Sequence, residues 1–232
     1  MPEQLAKWIE VIFDISYLIT VWTITALMFK NRSKLSPENK SLGMLFILAF
    51  FFLAIGDTGH VGFRVPALLM GGIDANAKLV GIGSLATAIM ITFFYMIIAE
   101  IWRVRFDKKR NFLWWFLMAV GVVRLVIMAF PQNNWLKHTV TLGWNLARNI
   151  PLMVQGLVVA VALLVCGIRQ KDKFPKSISV MIFISYAFYF PVVFFSRQIP
   201  ILGMLMIPKT LAYVAVAVIA YIVLFKREAV EK

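Results

Sequence analysis

Long apolar runs alternate with short polar breaks from one end of the chain to the other. Windows of about 19 residues place mostly apolar spans near 8–29, 42–62, 78–102, 112–130, 148–168, 178–197 and 200–225. A helix needs about 20 apolar residues to cross a hydrocarbon core of ~30 Å. The pattern therefore predicts one all-α domain over 1–232, a polytopic bundle of seven transmembrane helices. Three breaks are charged: "KNRSKLSPENK", "RVRFDKKRN" and "RQKDKFPK". Two are polar or glycine-bearing, "MGGIDANAK" and "PQNNWLKHTVTLGWN", and "RQIP" alone separates the last two spans, which implies a tight antiparallel pair. The first run is too long for a signal peptide, lacks a strongly basic leader and ends in "MFKNRSK", so it reads as a span.

Charge sets an orientation. The linkers after spans one, three and five, with the tail "KREAVEK", hold sixteen Lys and Arg. The N-terminus and the other three connectors hold five: Lys7, Arg64, Lys78, Lys137 and Arg197. The positive-inside rule then places the N-terminus outside and the C-terminus in the cytoplasm, as seven spans require, with the cell membrane as the expected location. Composition agrees, since 61% of residues are hydrophobic and 15% are charged, against about 25% charged in soluble domains. The net charge of +13 then reads as topology signal and contact with anionic lipid, not nucleic-acid binding. Any cytoplasmic partner has to meet the short basic loops. The one cysteine, Cys166, excludes an intrachain disulfide. No internal repeat is visible, which argues against inverted-repeat transporter folds.

Charged side chains inside the spans are the candidate chemistry, because each costs at least about 2.5 kcal/mol at mid-bilayer without a partner or a wet cavity. Asp57, His60 and Arg64 are spaced three and seven residues apart, on one helical stripe. Gly56, Gly59 and Gly62 recur beside them and would admit a neighbouring helix. Glu10 and Asp14 fall in span one, Arg124 in span four, and Asn145, Arg148 and Gln155 at helical spacing in span five. Arg197 ends span six, while Lys209 follows Pro208 in span seven with Tyr213 one turn on. With the orientation above, these residues gather in the outer half, and in the inner half only Glu100 stands out, near a helix end. Five basic residues against Asp14 and Asp57 make a net-positive chamber, suited to a carboxylate or phosphate on a greasy tail. Plainer readings stand beside this one: snorkelling of Arg64 and Arg197, a structural role for Asp14, an internal Arg124–Asp57 salt bridge, and interfacial Tyr and Trp.

Known chemistries fit less well. His60 and His138 are the only histidines, so no metal or other cofactor is expected. A lysine in the seventh helix is the hallmark of rhodopsins, but span three has no carboxylate in its outer or middle part and none lies within a turn of Lys209. The alkaline ceramidase and progestin-receptor superfamily needs three metal-binding histidines. Lysoplasmalogenase-like proteins share only the "GD" of "IGDTGH". The chain more closely resembles a group of uncharacterised multi-spanning microbial membrane proteins. The shared pieces are Gly56-Asp57 with His60 and Arg64, "LVGIG", "PQNNW", Arg148-Asn149-Ile150-Pro151 and Pro208-Lys209-Thr210 with Tyr213; the second asparagine before the tryptophan departs from that group's pattern. The resemblance brings no activity.

The leading expectation is thus binding of a membrane lipid or other anionic or polar amphiphile by Asp57, His60, Arg64, Arg124, Arg148 and Lys209. On this reading Arg124→Ala or Lys209→Ala abolishes binding without loss of folded protein. One alternative is a lipid-processing enzyme with His60 as base, Asp57 orienting it, and water or Ser84 as nucleophile. Another is a small-anion transporter, which needs a polar route through the inner half.

Overall fold

The computed structural model describes residues 3–137 and 140–226; His138 and the tail beyond Lys226 lie outside the described residues. Helices are α1 (Glu3–Lys30), α2 (Pro37–Leu69), α3 (Ala77–Arg105), α4 (Phe112–Ala129), α5 (Leu142–Arg169), α6 (Lys173–Phe195) and α7 (Met206–Ala220). A 3-10 turn, Pro200–Leu205, leads into α7 and a π turn, Tyr221–Lys226, continues it. Among the described residues there is no strand, and seven helical segments are long and apolar enough to cross a membrane. Successive helices pack side by side, α7 returns to α1, and α3 also touches α5. The result is a closed ring of seven helices.

Backbone chemistry extends three helices past their apolar stretches. α2 runs to Leu69, so Arg64 and Pro66 are helical and its 33 residues span ~50 Å. Its turn into α3 is made by Gly71 and Gly72 at φ 101° and 99°, a region that glycine enters at little steric cost. α5 begins at Leu142 because the Thr141 side chain accepts from the Trp144 amide at 3.5 Å. Pro151 is therefore interior, not near the start. α6 starts at Lys173, capped by Asp172, whose carboxylate accepts from the Phe174 amide at 3.0 Å and from Arg105 at 2.6 Å. Span seven opens as a 3-10 turn around Pro200 and Gly203, so Pro208 falls in the first turn of α7, where its missing amide is tolerated.

The half of the bundle nearer the C-terminus has, beside an apolar groove between α3, α4 and α5, a packed apolar centre. Phe46, Phe50, Phe94, Tyr95, Ile98 and Ile178 are fully buried there in one cluster. At that end Glu100 is paired with Arg103 at 2.6 Å and accepts from Trp114 Nε1 at 2.8 Å.

Small residues set the approach of α2 to α3. A Cβ on Gly83 would lie 2.6 Å from the Gly59 carbonyl oxygen, and one on Gly56 would lie 2.7 Å from Met90 Cβ. Gly62, the third of the recurring glycines, faces open space instead. Gly83→Ala is expected to lower stability by about 1–3 kcal/mol through overpacking against backbone. Gly62→Ala should be neutral, or stabilising by up to about 1 kcal/mol from helix propensity. Thermal unfolding of the two variants in one detergent checks the pair, and equal midpoints would refute this packing.

Candidate functional site

At the end of the bundle that holds the N-terminus, the ring encloses a cavity of about 670 Å³ lined by residues of all seven helices. That is within the size of small-molecule sites. Its floor is aromatic. Tyr95 and Tyr213 share a hydrogen bond of 2.7 Å, Phe94 meets Tyr213 edge-on, and the Tyr186 hydroxyl donates to the Leu152 carbonyl at 2.8 Å.

Helical spacing brings Asp57, His60 and Arg64 to the cavity on one stripe of α2, facing Glu10 and Asp14 of α1. Arg64 Nε pairs with Glu10 Oε1 at 2.5 Å. The Tyr17 hydroxyl donates to Asp57, and Trp22 Nε1 donates to Thr58 at 2.9 Å, so α1 and α2 are locked together. Asp57 does not orient His60, as a catalytic pair would need. His60 makes no hydrogen bond among the described residues, and its Nδ1 is buried without one. Ser84 also lines the cavity, but its hydroxyl donates to the Val80 carbonyl of its own helix at 2.8 Å.

Arg124 is 2% exposed and forms no salt bridge with Asp57. Its Nη1 donates to the Ala88 carbonyl at 2.5 Å and to Thr92, and its Nε donates to the Arg148 carbonyl at 2.7 Å. Pro151 leaves the Ala147 carbonyl without its usual helical donor, and the carbonyl Arg124 takes is the next one along. The guanidinium thus ties α4 to α3 and α5. Its Nη2 makes no hydrogen bond among the described residues.

Arg148 is arranged differently. Its guanidinium lies over the Trp135 ring, 4.4 Å from the centroid, and its Nη2 reaches Asn145 Oδ1 only at 3.4 Å. Asn145 is held by Asn149, which accepts from the Tyr189 hydroxyl at 2.8 Å. Trp135 is fixed by donating to the Met128 carbonyl at 3.0 Å. Its own carbonyl occupies the place of a side chain on Gly81. "PQNNW" is therefore a platform for Arg148. Lys209 Nζ lies 4.8 Å from the Tyr189 centroid and 5.4 Å from that of Tyr213. It makes no hydrogen bond or ion pair among the described residues, though Asp57 is within electrostatic reach.

Two expected residues lie elsewhere. Gln155 is fully buried between α5 and α4, donating to the Leu117 carbonyl at 3.0 Å, below the cavity. Arg197 is exposed and donates to the Val140 carbonyl. The cavity thus has four basic residues (Arg64, Arg124, Arg148, Lys209) and three acidic ones (Glu10, Asp14, Asp57), a smaller positive excess than the sequence implies. Tyr17, Trp135, Asn149 and Tyr189 belong to it as well, although as residues of apolar helices and connectors they look like packing or interfacial residues. No protein-family model, curated protein or solved structure matches the chain.

Proposed function

We propose that the protein is a plasma-membrane binding protein of receptor or sensor type, with its N-terminus outside. Its cavity, in the outer half, takes a membrane lipid or other amphiphile with an anionic head group. One observation carries this reading. Arg148 and Lys209 face a single cavity and make no ion pair among the described residues, whereas Arg64, Arg103 and Arg105 are each paired at 2.5–2.6 Å. Both are half-buried, and a cation set among apolar helices without an ion pair is best satisfied by an anion; Trp135 and Tyr189 hold these two in place before one arrives. Apolar side chains at the cavity's edge, Ile9, Phe13, Val192, Met204 and Ile207, suit the tail. The excess of Lys and Arg at the opposite end supports the orientation and leaves basic loops for a cytoplasmic partner.

Simple binding accounts for the site better than turnover or transport. Lipid turnover would need an activated nucleophile: Ser84 is engaged with its own helix, and His60, the base that would activate a water, has no carboxylate orienting it among the described residues. Transport would need a path through Phe50, Phe94 and Tyr95.

The purified protein in a non-ionic detergent tests this. Dodecyl phosphate and dodecanoate are expected to raise its unfolding temperature in a saturable way, while dodecanol is not. Equal shifts from all three would remove the head-group claim.

A further inference from the structure

The carboxylates of the cavity all stand on one wall, and two of its arginines stand on the wall opposite. Glu10, Asp14 and Asp57 stand on α1 and α2, Arg124 and Arg148 stand on α4 and α5 across the ring, and Lys209 on α7 lies within electrostatic reach of Asp57 and Arg124. The one cation on the acidic wall, Arg64, is already taken by Glu10 at 2.5 Å. That leaves two carboxylates without an ion pair among the described residues. Asp57 has a hydroxyl donor in Tyr17, and Asp14 has no hydrogen bond among the described residues. A purely anionic head group would satisfy Arg148 and Lys209 but compete with Asp57 for Lys209 and bring a further negative charge toward both carboxylates. Like charges brought together away from bulk water repel strongly.

We propose that the head group is a zwitterion, with its phosphate or carboxylate on Arg148 and Lys209 and a primary ammonium on Asp14 and Asp57. This rests on the reading of the cavity as an anion site and narrows it. A primary ammonium has three N–H donors and no acceptor, which suits two carboxylates on adjacent helices. The acidic wall is formed in advance, since the Tyr17–Asp57, Trp22–Thr58 and Glu10–Arg64 contacts all bridge α1 and α2. Such chemistry occurs on an aminoethyl-phosphate lipid head and on a free aminoalkyl phosphate or amino acid alike.

Three probes titrated against the full chain in non-ionic detergent test the proposal: a single-chain phosphoethanolamine lipid, its N-acetyl derivative, and soluble phosphoethanolamine. Acetylation removes the cation and keeps the phosphate and chain. The wild type is expected to bind the ammonium lipid about tenfold or more tighter than the N-acetyl lipid, the size of one charge-assisted hydrogen bond. Asp14→Asn, nearly isosteric at a side chain that makes no hydrogen bond among the described residues, should lower that ratio several-fold, with Asp57 holding what remains. Soluble phosphoethanolamine binding as tightly as the lipid would assign the site to a free zwitterion, and much weaker binding would assign it to a lipid head. Equal wild-type affinity for the ammonium and N-acetyl lipids would overturn the zwitterion and leave the anion site standing. No binding by any of the three probes, together with none of dodecyl phosphate, would overturn both.

Discussion

Arg124→Ala is expected to lower the stability of the bundle by about 2–5 kcal/mol, the range of large truncations in a packed core. α4 attaches through a narrow stripe, Leu117, Gly121, Arg124 and Met128, and Arg124 is the member that reaches both neighbouring helices. Alanine leaves a hole and strips the Arg148 and Ala88 carbonyls and Thr92 of a shared donor. Arg124→Met should recover only the part of the loss that comes from the hole, because an apolar side chain of similar length fills the space but donates to none of the three acceptors. Thermal or denaturant unfolding in a fixed detergent checks both variants. A wild-type midpoint for Arg124→Ala would show that the guanidinium does not hold α4 in place. The sequence-based expectation that this variant folds normally and loses only binding is revised accordingly.

Arg148→Gln and Lys209→Met are expected to fold and to lose binding. Each removes a cation that makes no ion pair among the described residues, so the Arg64, Arg103 and Arg105 pairs remain. Arg148→Gln keeps a polar side chain of similar length, whereas Lys209→Met should cost some stability because Asp57 loses the cation within its reach. A hydrogen bond from a charged donor contributes about 1.5–3 kcal/mol, so each change should weaken binding of dodecyl phosphate roughly ten- to hundredfold. Titration of the probe, with unfolding midpoints as the control, reads both effects. A variant that folds as the wild type and binds the probe equally well removes that residue from the site.

Angular position was legible in the sequence, and depth was not. Asp57, His60 and Arg64 reach the cavity together because spacings of three and seven fix a common face. The same logic put Gln155 on the face of Arg148, correctly in angle, but two turns deeper, where α4 and α5 touch directly. Partners across helices were also hidden. Glu10 was visible beside Asp14, yet only the packed α1–α2 pair shows that it takes Arg64. No carboxylate lies near Lys209 along the chain, but the fold brings Asp57 within its reach. Tyr17, Trp135 and Tyr189 carried no mark to separate a site aromatic from an interfacial one. Span number was set by apolar length alone. Helix ends were not, because caps such as Thr141 and glycines such as Gly71 act outside the apolar stretch.

Native mass spectrometry addresses the binding site most directly. The full chain would be purified in mild non-ionic detergent, wild type beside the Arg148→Gln/Lys209→Met double variant. The expected result is a wild type carrying one bound amphiphile whose head group bears a phosphate or carboxylate, and a folded double variant that lacks it. Identical lipid adducts, in identity and amount, on both folded proteins would contradict a head-group site in this cavity.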